Sequence, residues 1–277
     1  MSLSYINLPV YVGGADATSI SESSAYLPAT QVDVSYTTSP TPRRLLGKDI
    51  SSAAAADKYK FGAPLSANIS LSCIFQKDFA NALEFFSEDA AFFPIQIGTN
   101  TYQKCYTTDI SVSVAPYVPV TLDASFICLD PPIDQQISGG DTSHSQGIDS
   151  DKLVYGHTCS VENMGNVVGD VQSQINYRKT NSRSPIYTLG SVNATSMNLT
   201  ATEEEMSITS TGLNNLINFS GDILTSSVKV NLTDVTGQYA EPNYLEMAAG
   251  ARVAVEKYGV AGGETVQTTA TIKQVTL

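Results

Sequence analysis

The chain has 277 residues, of which 42% are apolar and none is tryptophan, and it carries a formal net charge of −12. That length and composition give one large globular domain or two ordinary ones, with an ample core. They exclude a membrane-spanning helix, since no stretch approaches the roughly 18 apolar residues one needs. They also exclude a phosphate-binding surface built on excess Lys and Arg, because residues 1–138 hold 7 basic against 13 acidic residues and residues 139–277 hold 8 against 14, leaving each half at −6.

The N-terminal residues MSLSYINLPVYVGG have neither a basic start nor a continuous apolar run, so no signal peptide is expected and the chain is expected to be made in the cytoplasm. Cys73, Cys105, Cys128 and Cys159 form no CxxC pair. They are expected to be reduced, mostly buried thiols rather than metal ligands, since His144 and His157 are the only histidines.

The first strand signature is QVDVSY, Gln31–Tyr36, with alternating apolar and polar residues. It leads into SPTPRRLLGK, where Pro42 precedes Gly47 by five positions and Leu46 stands before the glycine. Leu65–Phe75 (LSANISLSCIF) reads as a second strand. DFANALEFFSE then reads as a short helix, with Asp78 as N-cap and Phe79, Leu83 and Phe86 on one face. Phe92–Thr99 is a short strand, and Asp109–Leu129 is a hairpin of two alternating strands with Tyr117 three residues beyond Val114. The polar, glycine-rich stretch Ser138–Asp151 is the linker candidate.

Beyond the linker the same order returns. VQSQINY (Val171–Tyr177) leads into SRSPIYTLGS, where Pro185 again precedes Gly190 by five positions with Leu189 before the glycine. Ser191–Thr202 reads as the matching strand and TGLNNLINFS as the matching helix, with Leu213, Leu216 and Phe219 on one face. Ser226–Thr233 and the Gly250–Val275 hairpin complete the series, with Tyr258 three residues beyond Val255. Five features recurring in one order point to two copies of one β-rich unit, residues 1–137 and 152–277, joined by a linker at 138–151. The repeated proline-to-glycine segment then marks the same connection in each copy. It reads either as a surface loop with solvated arginines or as a loop reaching a neighbouring subunit through Pro42, Arg43, Arg44, Leu45 and Leu46, and through Pro185, Ile186 and Tyr187.

Catalytic patterns are not found: there is no GxSxG, Walker loop, HExxH or GxGxxG. His157 and Cys159, two residues apart, are expected to share a strand face as a structural pair without an orienting group. Glu203, Glu204 and Glu205 read as a solvated run or as an acidic patch that repels phosphate. No cofactor or metal is expected, and the chain is not expected to be an enzyme.

The ordered series of strand, SPTPRRLLGK loop, DFANALEFFSE helix and DISVSV…VTLDASFI hairpin, repeated once, resembles the tail tube proteins of bacteriophages. The resemblance covers about 85% of the chain and rests on element order, because this family has no diagnostic short motif. It implies a mainly β fold of two tandem β-sandwich or barrel units, each with a short flanking helix. Most members carry one unit and form six-membered rings, so a tandem chain implies three chains per ring. It further implies a virion structural protein whose stacked rings conduct DNA without binding it specifically, alongside tape-measure, sheath or baseplate proteins, and without membrane insertion. Another tail component of the same fold, such as a baseplate or tube-end protein, and a virion decoration or adhesin-like binding module are the alternatives.

Overall fold

In the computed structural model the described residues are 10–20, 25–37, 42–44, 59–61, 66–76, 89, 91–130, 132–134, 153–162, 172–189, 194–211, 223–233, 244–259 and 267–276. Among them the fold is mainly β, with antiparallel pairing throughout and one turn of 3-10 helix at Gly156–Thr158. The two predicted helices and the predicted linker lie outside the described residues.

The strands of the first half are β1 (Val10–Val12), β2 (Ala25–Leu27), β3 (Ala29–Thr37), β4 (Pro42–Arg44), β5 (Tyr59–Phe61), β6 (Ser66–Ile74), β7 (Phe93–Ile97), β8 (Asn100–Val114), β9 (Thr121–Cys128) and β10 (Ile133–Asp134). Those of the second half are β11 (Ser160–Glu162), β12 (Gln172–Ile186), β13 (Ser196–Thr211), β14 (Val228–Asn231), β15 (Tyr244–Met247), β16 (Arg252–Gly259) and β17 (Gln267–Thr276). Each strand predicted from alternating residues is found as a strand.

Their neighbours follow one scheme twice. In the first half β3 pairs with β6, β6 with β9 and β9 with the later part of β8, while the earlier part of β8 pairs with β7, and β7 with β1. In the second half β12 pairs with β13, β13 with β17 and β17 with β16, while β15 pairs with β14 and β14 with β11. The one long strand β8 thus takes the places that β15 and β16 share. At the break between these two, Leu224 N–H donates to the Ala251 carbonyl at 2.9 Å and the Leu224 carbonyl accepts from Gly250 N–H at 2.9 Å.

The two four-stranded runs join edge to edge. β8 pairs with β12 over Asp109–Val114 and Ile175–Thr180, giving the continuous order β3-β6-β9-β8-β12-β13-β17-β16. Alternation along a strand sends successive side chains to opposite faces. One registered row across all eight strands is Ala29, Cys73, Leu122, Val112, Tyr177, Met206, Ile272 and Val253. These residues face the core, which continues through both halves with Ile69, Phe126, Ile110, Ile175, Ile208 and Ala270 from this sheet. In the first half β7 and β1 cover it with Phe93, Ile95, Val10 and Val12; in the second, β14 and β15 do so with Val228, Val230, Leu245 and Met247. Strands of both halves thus share one apolar filling.

Two expectations are corrected by the pairings. Ser182–Ile186 is the end of β12, paired with β13 up to Ile186 opposite Ser196, rather than part of a loop. Pro185 is tolerated there because the pairing with β8 ends at Thr180, so its missing N–H faces no partner strand. Tyr258 lies inside β16, whereas Tyr117 lies in the turn between β8 and β9 with φ +61°. The two tyrosines are consequently not equivalent, although each follows a valine by three residues.

Candidate functional surface

The row adjacent to the apolar one crosses the same eight strands as Gln31, Ser72, Asp123, Ser111, Arg178, Glu205, Lys273 and Arg252. Every member is polar. The rows beside it continue the character with Asp33, Asn68, Ser70, Ser125, Asp109, Ser113, Asn176, Ser207 and Thr209. One side of the sheet is therefore core and the other is a broad field of hydroxyls, amides and paired charges.

Cross-strand contacts order this field. Ser72 donates to Asp123, Ser113 to Asn176 at 2.9 Å, and Ser70 and Ser125 lie 3.3 Å apart. At the joint between the halves, Arg178 Nη2 lies 2.7 Å from Asp109 Oδ2, which also accepts from Thr180 at 3.0 Å. Lys273 pairs with Glu205 at 3.1 Å. Such exposed pairs add little stability, but they neutralise charge in place. Among the described residues this face has no cluster of unpaired basic groups able to hold phosphates.

The core side of the same joint is held differently. Lys179, only 8% exposed, lies 2.8 Å from Asp89 and 3.4 Å from Glu204. Asn181 donates to Asp89 at 3.2 Å and accepts from Thr202 at 3.0 Å. Arg183 donates to the Thr107 carbonyl at 2.8 Å and to the Asp89 carbonyl, with its guanidinium 5.2 Å from the Tyr106 ring centre. Here β12 supplies Lys179, Asn181 and Arg183, and the first half supplies Asp89, Tyr106 and Thr107. A buried cation with two carboxylates on it fixes register across the joint, because a slip by one residue would strand it unpaired. Burial, and secondarily Glu204 and Asp89, raise the Tyr177 phenol well above its usual range.

The sequence-predicted residues fall in three places. Pro42, Arg43 and Arg44 form β4, paired with β5, while Leu45 and Leu46 lie outside the described residues. Pro185, Ile186 and Tyr187 end a two-stranded arm, β12 with β13, that runs on past the pairing with β8; Ile186 is 45% and Tyr187 51% exposed, and Leu189 beyond them is fully exposed. The arm's Met197 and Ala194 pack back on Tyr106, Leu129, Phe92 and Ile127 of the first half. Glu203, Glu204 and Glu205 do not form one patch, because strand alternation divides them. Glu203 and Glu205 lie on the polar face, and Glu204 turns to the buried Lys179.

His157 and Cys159 are not a strand pair. His157 sits in the 3-10 turn, stacked on Tyr117 with ring centres 5.5 Å apart, and Tyr155 is equally close. Gly156 lies so near the Ala115 carbonyl that any side chain there would clash, which holds this turn against the β8–β9 turn. Cys159 donates to the Tyr155 carbonyl at 3.3 Å, and burial pushes its thiol up to about 11, so it is not an activated nucleophile. Among the described residues no group of His, Cys, Asp and Glu could hold a metal ion, and no helix is long and apolar enough to cross a membrane.

What sequence reading did not find is the Lys179 cluster, whose partners are up to 94 positions apart along the chain. Its one signal was a lysine at a core-facing position of an alternating strand. The chain matches no protein-family model and no curated protein.

Proposed function

We propose that the chain is a structural subunit of a phage tail, of tail-tube type, in which two tandem units in each chain build rings that stack into a conduit for DNA. The observation that carries this reading is the joint itself. Two four-stranded runs of the same order meet edge to edge in one sheet, core on one side and mostly polar on the other, where Val275 and Ile127 are the apolar exceptions in the paired rows. Repeating that joint between chains closes a ring with its polar face in a continuous band. Hydroxyls, amides and neutralised charge pairs offer DNA neither a cationic holding site nor an apolar one, as a conduit requires. In this reading the β4–β5 segment with Arg43 and Arg44, and the arm tip with Ile186 and Tyr187, meet neighbouring rings or other tail proteins.

Electron microscopy of the purified chain at rising concentration tests the proposal. Rings of three chains with pseudo-sixfold outline are expected, stacking into tubes. Monomers at every concentration would contradict the structural role, and rings of six chains would contradict the stoichiometry. A second reading, a virion-attached binding module, is favoured by Tyr117, 82% exposed and stacked on His157 at a turn tip. It predicts particles that never stack.

A further inference from the structure

We propose that Lys179 and Asp89 close into a covalent side-chain amide, which the chain forms on itself with loss of one water and which ties the second half to the first. The bond goes beyond the tail-tube reading and does not depend on it.

Such a reaction needs a buried amine, a carboxyl in contact with it, a donor on the carboxyl oxygen and a group to carry protons. Alternation along β12 sends Tyr177, Lys179 and Asn181 to one side, and β13 places Glu204 directly opposite Lys179 and Thr202 opposite Asn181. Lys179 Nζ therefore meets two carboxylates, Asp89 Oδ1 at 2.8 Å and Glu204 Oε1 at 3.4 Å. Their surroundings give them different parts. Asn181 Nδ2 donates to Asp89 Oδ1 at 3.2 Å, drawing charge from the carboxyl carbon, and Thr202 Oγ1 donates to Asn181 Oδ1 at 3.0 Å, which fixes that amide's orientation. Arg183 donates to the Asp89 backbone carbonyl and holds the residue in place. Glu204 instead accepts from the Tyr177 hydroxyl, which orients its carboxylate beside the amine. Lys179 and Asn181 are both buried, so little water competes for these contacts.

The atoms balance without any further reactant. Lys179 passes one ammonium proton to the Asp89 carboxylate, leaving a neutral amine and a carboxylic acid. The amine lone pair forms the N–C bond at Asp89 Cγ, and the charge that develops on Oδ1 falls against Asn181 Nδ2. Glu204 takes a second proton from the nitrogen and delivers it to the hydroxyl that carries the first. The C–O bond breaks, water departs, and Glu204 is again a carboxylate. Well-oriented groups within one molecule reach effective concentrations of about 10⁵–10⁸ M. The product also replaces an ion pair held away from water with a neutral amide. Because Asp89 belongs to the first half and Lys179 to β12, the bond crosses the joint that β8 and β12 make.

Intact-mass measurement of the unaltered, folded chain at neutral pH, followed by proteolysis, tests the bond. The mass should fall with time to one water below that of the sequence, and a branched peptide should join the segments around Asp89 and Lys179. Asp89→Ala should keep its full mass. Glu204→Gln preserves the size of the side chain, and with its fold checked by circular dichroism it should form the bond about 10²-fold more slowly or less. Formation at the unaltered rate would overturn the proton-carrying role of Glu204. A full-mass unaltered chain yielding only linear peptides would overturn the proposal, whatever the variants do. Loss of water with linear peptides only would mean a cyclised aspartate and would overturn it equally. A branch from Lys179 to Glu204 would overturn the choice of Asp89.

Discussion

Ile175 on β12 and Val34 on β3 hold matching places, each in the first strand of a four-stranded run. Ile175 has a strand on both sides and is buried, whereas Val34 has a strand on one side and is partly exposed. The same contrast separates Tyr177, packed against the core, from Tyr36, half exposed with its hydroxyl 2.8 Å from that of Tyr102. The difference lies not in the strands' own sequences, which are similarly patterned, but in what lies alongside.

Changes in the core, which both halves share, should have the largest effect and fall equally on covered and open edges. Phe126 is about as buried as any side chain in the first half, and Phe126→Ala is expected to cost about 3–5 kcal/mol in denaturant unfolding. Lys179→Met acts on the inner joint alone. It leaves Asp89 and Glu204 facing an apolar group, although both reach solvent in part, and about 2 kcal/mol should be lost. Unfolding of the two halves monitored separately should become less cooperative in this variant. A loss as small as that of a surface change would remove the cluster from the account of the joint.

An alkaline titration sharpens the comparison within the first half. Cys73 has its thiol pushed up to about 12, by burial first and then by Asp123, from an ordinary value near 9.0. The folded state holds this proton more tightly than the unfolded one. The contribution to stability is therefore full below about pH 9 and disappears as the pH rises towards about 12. Cys73→Ala should flatten the fall in unfolding free energy across that window, whatever it does to stability at neutral pH. An unchanged slope would show that other groups govern it. Arg178→Ala on the polar side of the joint should have the smallest effect, below about 1 kcal/mol, since its ion pair with Asp109 is exposed and open to salt screening.

The strands were legible because period-two alternation is a direct imprint of a sheet with one core face. Ala67, Ile69, Leu71 and Cys73 on β6 alternate with Asn68, Ser70 and Ser72 in the sequence as they do in space. The matching order of patterned segments in the two halves was legible for the same reason. Three features were missed. The alignment of Tyr258 with Tyr117 failed because local spacing does not record that β8 is one strand where β15 and β16 are two. The division of Glu203, Glu204 and Glu205 between faces was implicit in strand alternation once β13 was known to run through them. The Lys179 cluster was illegible because it depends on which strands become neighbours, and that is decided by pairing across the whole chain.

Amide hydrogen exchange measured on dilute monomer and on assembled particles tests the central claim most directly. In the monomer β12 should already be protected along Ile175–Thr180, while Val34–Thr37 of β3 exchange quickly. Assembly should slow exchange in β3 and leave β12 unchanged. If β3 exchanges as fast in assembled particles as in monomers, the joint is not repeated between chains and the account is wrong.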